Sequence, residues 1–269
     1  MRMIYLNIIC LLLWGWSSFP IFAKDSVVVY TDIEQHSGRE DYKTSADNAY
    51  TNGDYNLAIQ LYEQIIENQG ESAEIYYNIG NSYYKKSDIA KAILNYERAI
   101  LLDPGDSDIR FNLDFAKSKT VDQITPLGEV FFVTWAKKIV NIQNSDAWAR
   151  FAVLSFMIFL ISILVYMFNG KIIVRKITFF LAIFFLLLCV VANLSSNYQK
   201  NKFVERKNAI VMYPSVTVKS TPDMSGTDLF VLHEGCKVEI KDNSLQKWIE
   251  IKLEDGNVGW MPSDALEII

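Results

Sequence analysis

The side chains able to do covalent or metal chemistry are few and scattered. The chain has two histidines, His36 and His233, and three cysteines, Cys10, Cys189 and Cys236. His233 with Cys236 is a poor metal pair and reads as a turn residue beside a small core residue. The sequence holds no nucleophile elbow, phosphate-cradling glycine loop, zinc-helix motif or Walker-type lysine. Paired carboxylates fall on helix faces, where solvated charge patterning explains them. The reading is a non-enzymatic chain with no catalytic residue, no cofactor and no metal. What remains is recognition chemistry. Lys43, Asp47, Tyr50, Tyr77, Asn78, Asn81 and Tyr84 bring phenols, amides and one lysine to the same helical faces. Such a set can hold a peptide by hydrogen bonds and ring contacts.

Those seven residues sit in a stretch that repeats at 34 residues. Tyr42, Ala46, Tyr50, Asp54, Ala58, Ile59, Tyr62 and Glu63 recur as Tyr76, Gly80, Tyr84, Asp88, Ala92, Ile93, Tyr96 and Glu97. A fixed period of that length marks a helix-turn-helix solenoid. The units are 39–72 and 73–106, each a helix A, a turn and a helix B. The second unit, from Ala73 through Tyr84, Asp88 and Ala92 to Pro104, resembles the tetratricopeptide repeat. Gly80 and Ala92 are small where helices A and B are expected to cross, with Tyr76, Tyr83, Tyr96 and Ala99 around the crossing. Pro104 cannot continue helix B. A further helix over 107–119 places Ile109, Leu113 and Ala116 on one face and is expected to cap the stack. The whole repeat domain is 39–119. Some domains of this family clamp a C-terminal carboxylate with Lys and Asn at places matched by Lys43 and Asn78. Asp47 would repel a carboxylate, so no clamp is expected.

The flanks differ sharply in composition. The 269 residues carry a net charge of −5. Residues 24–147 hold 12 Lys/Arg against 20 Asp/Glu, and residues 195–269 hold 9 against 11. An acidic balance argues against a nucleic-acid partner. Residues 1–23, with Arg2, an apolar run from Ile4 to Trp16, Pro20 and Ala23, read as a secretory signal peptide. Residues 24–38 read as a linker. Residues 120–147 read as an amphipathic connector carrying Phe131, Phe132, Trp135, Lys137, Lys138, Ile139 and Val140. Residues 148–168 and 177–194 are expected to be transmembrane helices, joined by a basic cytoplasmic turn at 169–176. Neither span has a charged residue near its middle, so the hairpin reads as a plain anchor.

Residues 208–269 alternate with period two between turn residues. Strands are expected at 209–212, 216–219, 228–232, 237–242, 247–252, 257–261 and 266–268. The markers around Val218, Leu232–Gly235, Trp248–Ile251 and Asp255–Trp260 resemble a bacterial SH3-like domain. Trp248 and Trp260 are expected to anchor its core, and the resemblance implies peptide or peptidoglycan binding. The fold class is therefore multidomain: an α-helical tetratricopeptide repeat solenoid, two transmembrane helices and a small all-β SH3-like barrel.

That order, with the stretch Asp108–Ala116 after the repeats, resembles the BatE proteins of the Bat aerotolerance operon. The resemblance implies a scaffold in a stress complex of the cell envelope. Its implied partners are von Willebrand A-domain Bat proteins and, indirectly, a MoxR-type ATPase. The implied location is the bacterial inner membrane with both soluble domains in the periplasm. The alternative is a cell-wall-binding or envelope-sensing protein acting through the SH3-like domain.

Overall fold

The computed structural model describes residues 42–128 and 130–269. The expected signal peptide at 1–23 and linker at 24–38 lie outside the described residues.

The repeats come first: helix α1 at residues 42–51, then α2 (Tyr55–Gln69), α3 (Ala73–Lys85) and α4 (Ile89–Leu102). Their caps repeat as the sequence does. Leu57 N–H donates to Asp54 Oδ1 at 3.1 Å, and Lys91 N–H donates to Asp88 Oδ1 at 3.2 Å. Each carboxylate satisfies an orphan donor at the start of helix B. The residue before each cap turns left-handed, Gly53 at φ 81° and Ser87 at φ 63°.

Gly80 sits where α3 crosses α4. A Cβ there would lie 2.6 Å from Tyr96 Cε1, so only glycine admits the ring. The ring then reaches across: Tyr96 Oη donates to Asn81 Oδ1 at 2.7 Å. One unit earlier Tyr62 Oη donates to Asp47 Oδ1 at 2.5 Å. The two bonds are related by the 34-residue period.

Helix α5 (Ser107–Lys117) follows. Its buried Ile109, Leu113 and Ala116 close the open side of the second unit against Ala92, Tyr96 and Ala99. Helix α6 (Phe131–Val140) leads to α7 (Ser145–Phe168) and α8 (Ile172–Glu205). The last two pair antiparallel, and both are long and apolar enough to cross a membrane by length and composition. Small side chains line their seam: Ala152, Ser155 and Ser162 from α7, with Thr178, Ala182, Ala192 and Ser195 from α8. Small residues let two backbones approach closely. The expected eight-residue turn at 169–176 is corrected to three residues, 169–171. Arg175 and Lys176 belong to α8, and Arg175 lies 5.0 Å over the Tyr166 ring. Helix α8 also runs on past Leu194 to Glu205 as polar helix.

The C-terminal strands are β1 (Asn208–Val211), β2 (Ser215–Lys219), β3 (Asp228–His233), β4 (Lys237–Asp242), β5 (Trp248–Lys252), β6 (Val258–Pro262) and β7 (Leu266–Ile268). They form one antiparallel sheet in the order β3-β2-β6-β5-β4-β1-β7. The closed barrel expected from the sequence is corrected to an open sheet, with β3 and β7 each paired on one side only. The sheet curls enough that Val211, Val218, Leu232, Ile251 and Met261 share one core. Trp248 and Trp260 are not in that core. Alternation puts Ile249, Ile251 and Met261 inward, and leaves both tryptophans half-buried on the other face.

The sheet is packed on the repeats. Ile210 and Ile269 join Ala92, Ile93, Leu94 and Tyr96 in one buried cluster. Glu97 is buried at the same boundary. Lys237 Nζ donates to its Oε2 at 2.6 Å, and Lys117 Nζ lies 2.7 Å from its Oε1. Arg98 donates to Glu267 Oε1 at 3.0 Å and to the Ile268 carbonyl at 2.8 Å. Arg206 pairs with Glu71. The repeats and the sheet thus lie against each other at one end of the α7–α8 pair, where Ser145 and Ser196 meet at 3.2 Å.

Candidate functional site

The repeats and α5 together carry a groove of about 340 Å³. Helix α1 contributes Tyr50, α3 contributes Tyr77, Asn81, Tyr84 and Lys85, and α4 contributes Tyr96. Helix α5 closes one wall with Phe111, Asn112 and Phe115. Four of the seven expected residues, Tyr50, Tyr77, Asn81 and Tyr84, are therefore brought together.

A hydrogen-bond chain fixes the floor. Asn112 Nδ2 donates to Tyr77 Oη at 2.8 Å and to Asn81 Oδ1 at 3.1 Å. Tyr96 Oη donates to the same Asn81 oxygen. Asn81 spends its carbonyl on two neighbours, and its NH₂ remains the group that can donate to a ligand. Burial pushes the phenols of Tyr50 and Tyr96 above their ordinary range, with neighbouring phenols adding to the shift. They act here as neutral hydroxyls.

The walls are aromatic. Tyr77 and Tyr96 rings lie 5.9 Å apart, and Tyr84 and Phe115 5.7 Å apart. Phe111 and Phe115 stack in parallel at 6.4 Å, and Phe111 is 70% exposed. Exposed aromatics flanking a groove with a few placed polar atoms are what a peptide anchor uses.

Lys43, Asp47 and Asn78 stand apart from this groove. Lys43 Nζ is 2.9 Å from Asp47 Oδ2 and 3.1 Å from Glu74 Oε1. Hydrogen bonds to Asp47 and then Glu74 raise its ammonium above the ordinary lysine range. Two carboxylates thus already hold this cation, whereas Lys85, which lines the groove, is exposed. Asn78 is half-buried, and its backbone carbonyl accepts from Ser82 Oγ at 2.8 Å.

Phe111, Asn112 and Phe115 are the site residues that sequence reading missed. They fall off the Ile109–Leu113–Ala116 stripe. An aromatic pair at i and i+4 on the solvent side of an amphipathic helix was the available signal.

A helical repeat stack with an aromatic groove suggests a role in protein–protein interaction. The tetratricopeptide repeat family model matches residues 73–106, the second unit. No curated protein matches the chain.

Proposed function

We propose that this chain is a non-enzymatic, membrane-anchored interaction scaffold of the cell envelope. The observation that carries the reading is the groove walled by Tyr50, Tyr77, Tyr84, Phe111 and Phe115, with Asn81 and Asn112 in its floor. Its partner is a peptide segment that offers an apolar or aromatic side chain to the rings and a backbone carbonyl to Asn81. Lys43 offers no clamp for a C-terminal carboxylate, because Asp47 and Glu74 already neutralise it.

Anchoring is supported by the length and apolar character of α7 and α8. A periplasmic side is supported by the export-type pattern of residues 1–23. The order of repeats, hairpin and β domain supports membership of a Bat-type envelope complex. Von Willebrand A-domain proteins would then be partners, with a MoxR-type ATPase behind them.

One observation favours the alternative of a cell-wall-binding or sensing protein. Trp248 and Trp260 are half-exposed on one face of adjacent strands, where a peptide or polymer could stack.

Photo-crosslinking in living cells separates the two. A photoreactive residue at Tyr84 or Phe115 of the full chain should yield a discrete protein adduct. If adducts come only from Trp260, or peptidoglycan is retained and lost on Trp260→Ala, the second reading replaces the first. If neither position yields an adduct, both fall.

A further inference from the structure

Helix α6 has a composition that its surroundings do not explain. Its sequence is FFVTWAKKIV, and none of its residues is buried. Phe131, Phe132 and Trp135 are 83%, 67% and 60% exposed. Isolated helices shorter than about 12–15 residues are marginal in water. No side chain caps the N-terminus of this ten-residue helix. Some further environment must stabilise it.

Its position says which one. The last carbonyl of α6 and one just beyond it are held by the α7–α8 pair. Trp148 Nε1 donates to the Val140 carbonyl at 2.9 Å, and Gln199 Nε2 donates to the same oxygen at 2.6 Å and to the Gln143 carbonyl at 2.7 Å. Ile139 packs on the cluster of Trp148, Ala152 and Ala192. Gln199 lies five residues beyond Leu194, the last residue of the apolar stretch, which is about 7.5 Å of helical rise. The headgroup zone of a bilayer is about 5–8 Å deep on each side. The preceding segment is tied to the β domain, where Leu127 N–H donates to the Glu254 carbonyl at 3.0 Å. Helix α6 therefore spans from the β domain to the hairpin at the level where apolar helix gives way to polar helix.

We propose that α6 docks on the bilayer interface, burying Phe131, Phe132 and Trp135 among acyl chains and setting Lys138 against anionic lipid headgroups. Two arguments choose a lipid surface over a protein. The helix is held to the hairpin through Trp148 and Gln199, and the outward side chains of that hairpin are apolar, with Leu154, Phe180 and Leu187 58%, 69% and 60% exposed. The helix also joins aromatic residues to lysines, the composition of interfacial helices. This inference rests on the anchor reading above.

The test uses the full chain in vesicles of phosphatidylcholine, with and without phosphatidylglycerol. Lipid brominated near the headgroup should quench a fluorescence component that Trp135→Phe removes, and phosphatidylglycerol should deepen the quenching. Equal emission with brominated and plain lipid overturns the docking. Quenching that ignores phosphatidylglycerol overturns the role given to Lys138. An alkaline carbonate wash checks the anchor separately: a chain that stays in the pellet with Trp135 unquenched refutes only the docking, and a chain that washes off refutes the anchor.

Discussion

Lys237 Nζ donates to Glu97 Oε2 at 2.6 Å, and this bond joins the β domain to the repeat. With Lys117 on the other oxygen, one buried carboxylate holds two cations from two different elements. Glu97→Gln leaves both ammonium groups without their counter-charge. Removing one partner of a buried pair costs about 3–5 kcal/mol. The lysine side chains are 36% and 23% exposed, so water offsets part of that. The expected loss is about 2 kcal/mol, read by denaturant unfolding of the detergent-solubilised chain. An unchanged midpoint would sink the idea that this contact secures the two parts.

The same carboxylate makes the contact between sheet and repeats acid-sensitive. Burial alone would raise its pKa, but Lys237 and Lys117 overcome that and hold it down at about 2, against an ordinary 4.5. The folded value is the lower one, so the stabilisation is fully present above about pH 4.5. It is lost as pH falls from there towards 2. Thermal melts across that window should show the wild-type midpoint falling more steeply than that of Glu97→Gln. Parallel curves would contradict this.

Ser87 at φ 63° stands one period after Gly53 at φ 81°. A left-handed residue other than glycine costs roughly 1–2 kcal/mol, and glycine returns part of the gain as unfolded-state entropy. Ser87→Gly should therefore stabilise the repeat by about 0.5 kcal/mol. Asp54→Ala and Asp88→Ala, which remove the caps just after these turns, should each cost about 1 kcal/mol. Hydrogen exchange in α2 and α4 reads both effects locally.

The groove should separate binding from folding. Phe111 is 70% exposed, and exposed substitutions change stability by about 0.5 kcal/mol or less. Phe111→Ala should leave the melting curve in place. A truncated aromatic anchor commonly costs about 2 kcal/mol of binding, so crosslinking yield from Tyr84 should drop roughly thirtyfold. Tyr96→Phe acts differently, since it takes a donor from Asn81 at the floor. It should lower both yield and stability.

Local periodicity carried most of the fold. The 34-residue offset was legible because each helix pair makes the same crossing, down to Tyr62 on Asp47 and Tyr96 on Asn81. The strands fall within one residue of their expected bounds because alternation is a local signal. The tryptophans were misplaced although the same alternation was there to read. Trp248 shares its face with Glu250 and Lys252, and Ile249 and Ile251 face the core. Size suggested burial and parity decided against it. The docking of sheet on repeat was not legible, because Glu97, Lys117 and Lys237 come from elements far apart in sequence and follow no period. Asp122 is a similar case. Its carboxylate accepts from the His233 backbone N–H at 2.6 Å and lies 2.9 Å from His233 Nδ1, a clasp between a linker and a strand end.

The shared cluster of Ile93, Leu94, Ile210 and Ile269 also sets an order of events in biosynthesis. Helix α4 emerges from the ribosome with its outer face bare. That face lacks its β-domain cover while α7 and α8 are made, and only then does β1 arrive to complete it. Until then the nascent repeat is a half-finished surface waiting for strands that follow two long apolar helices.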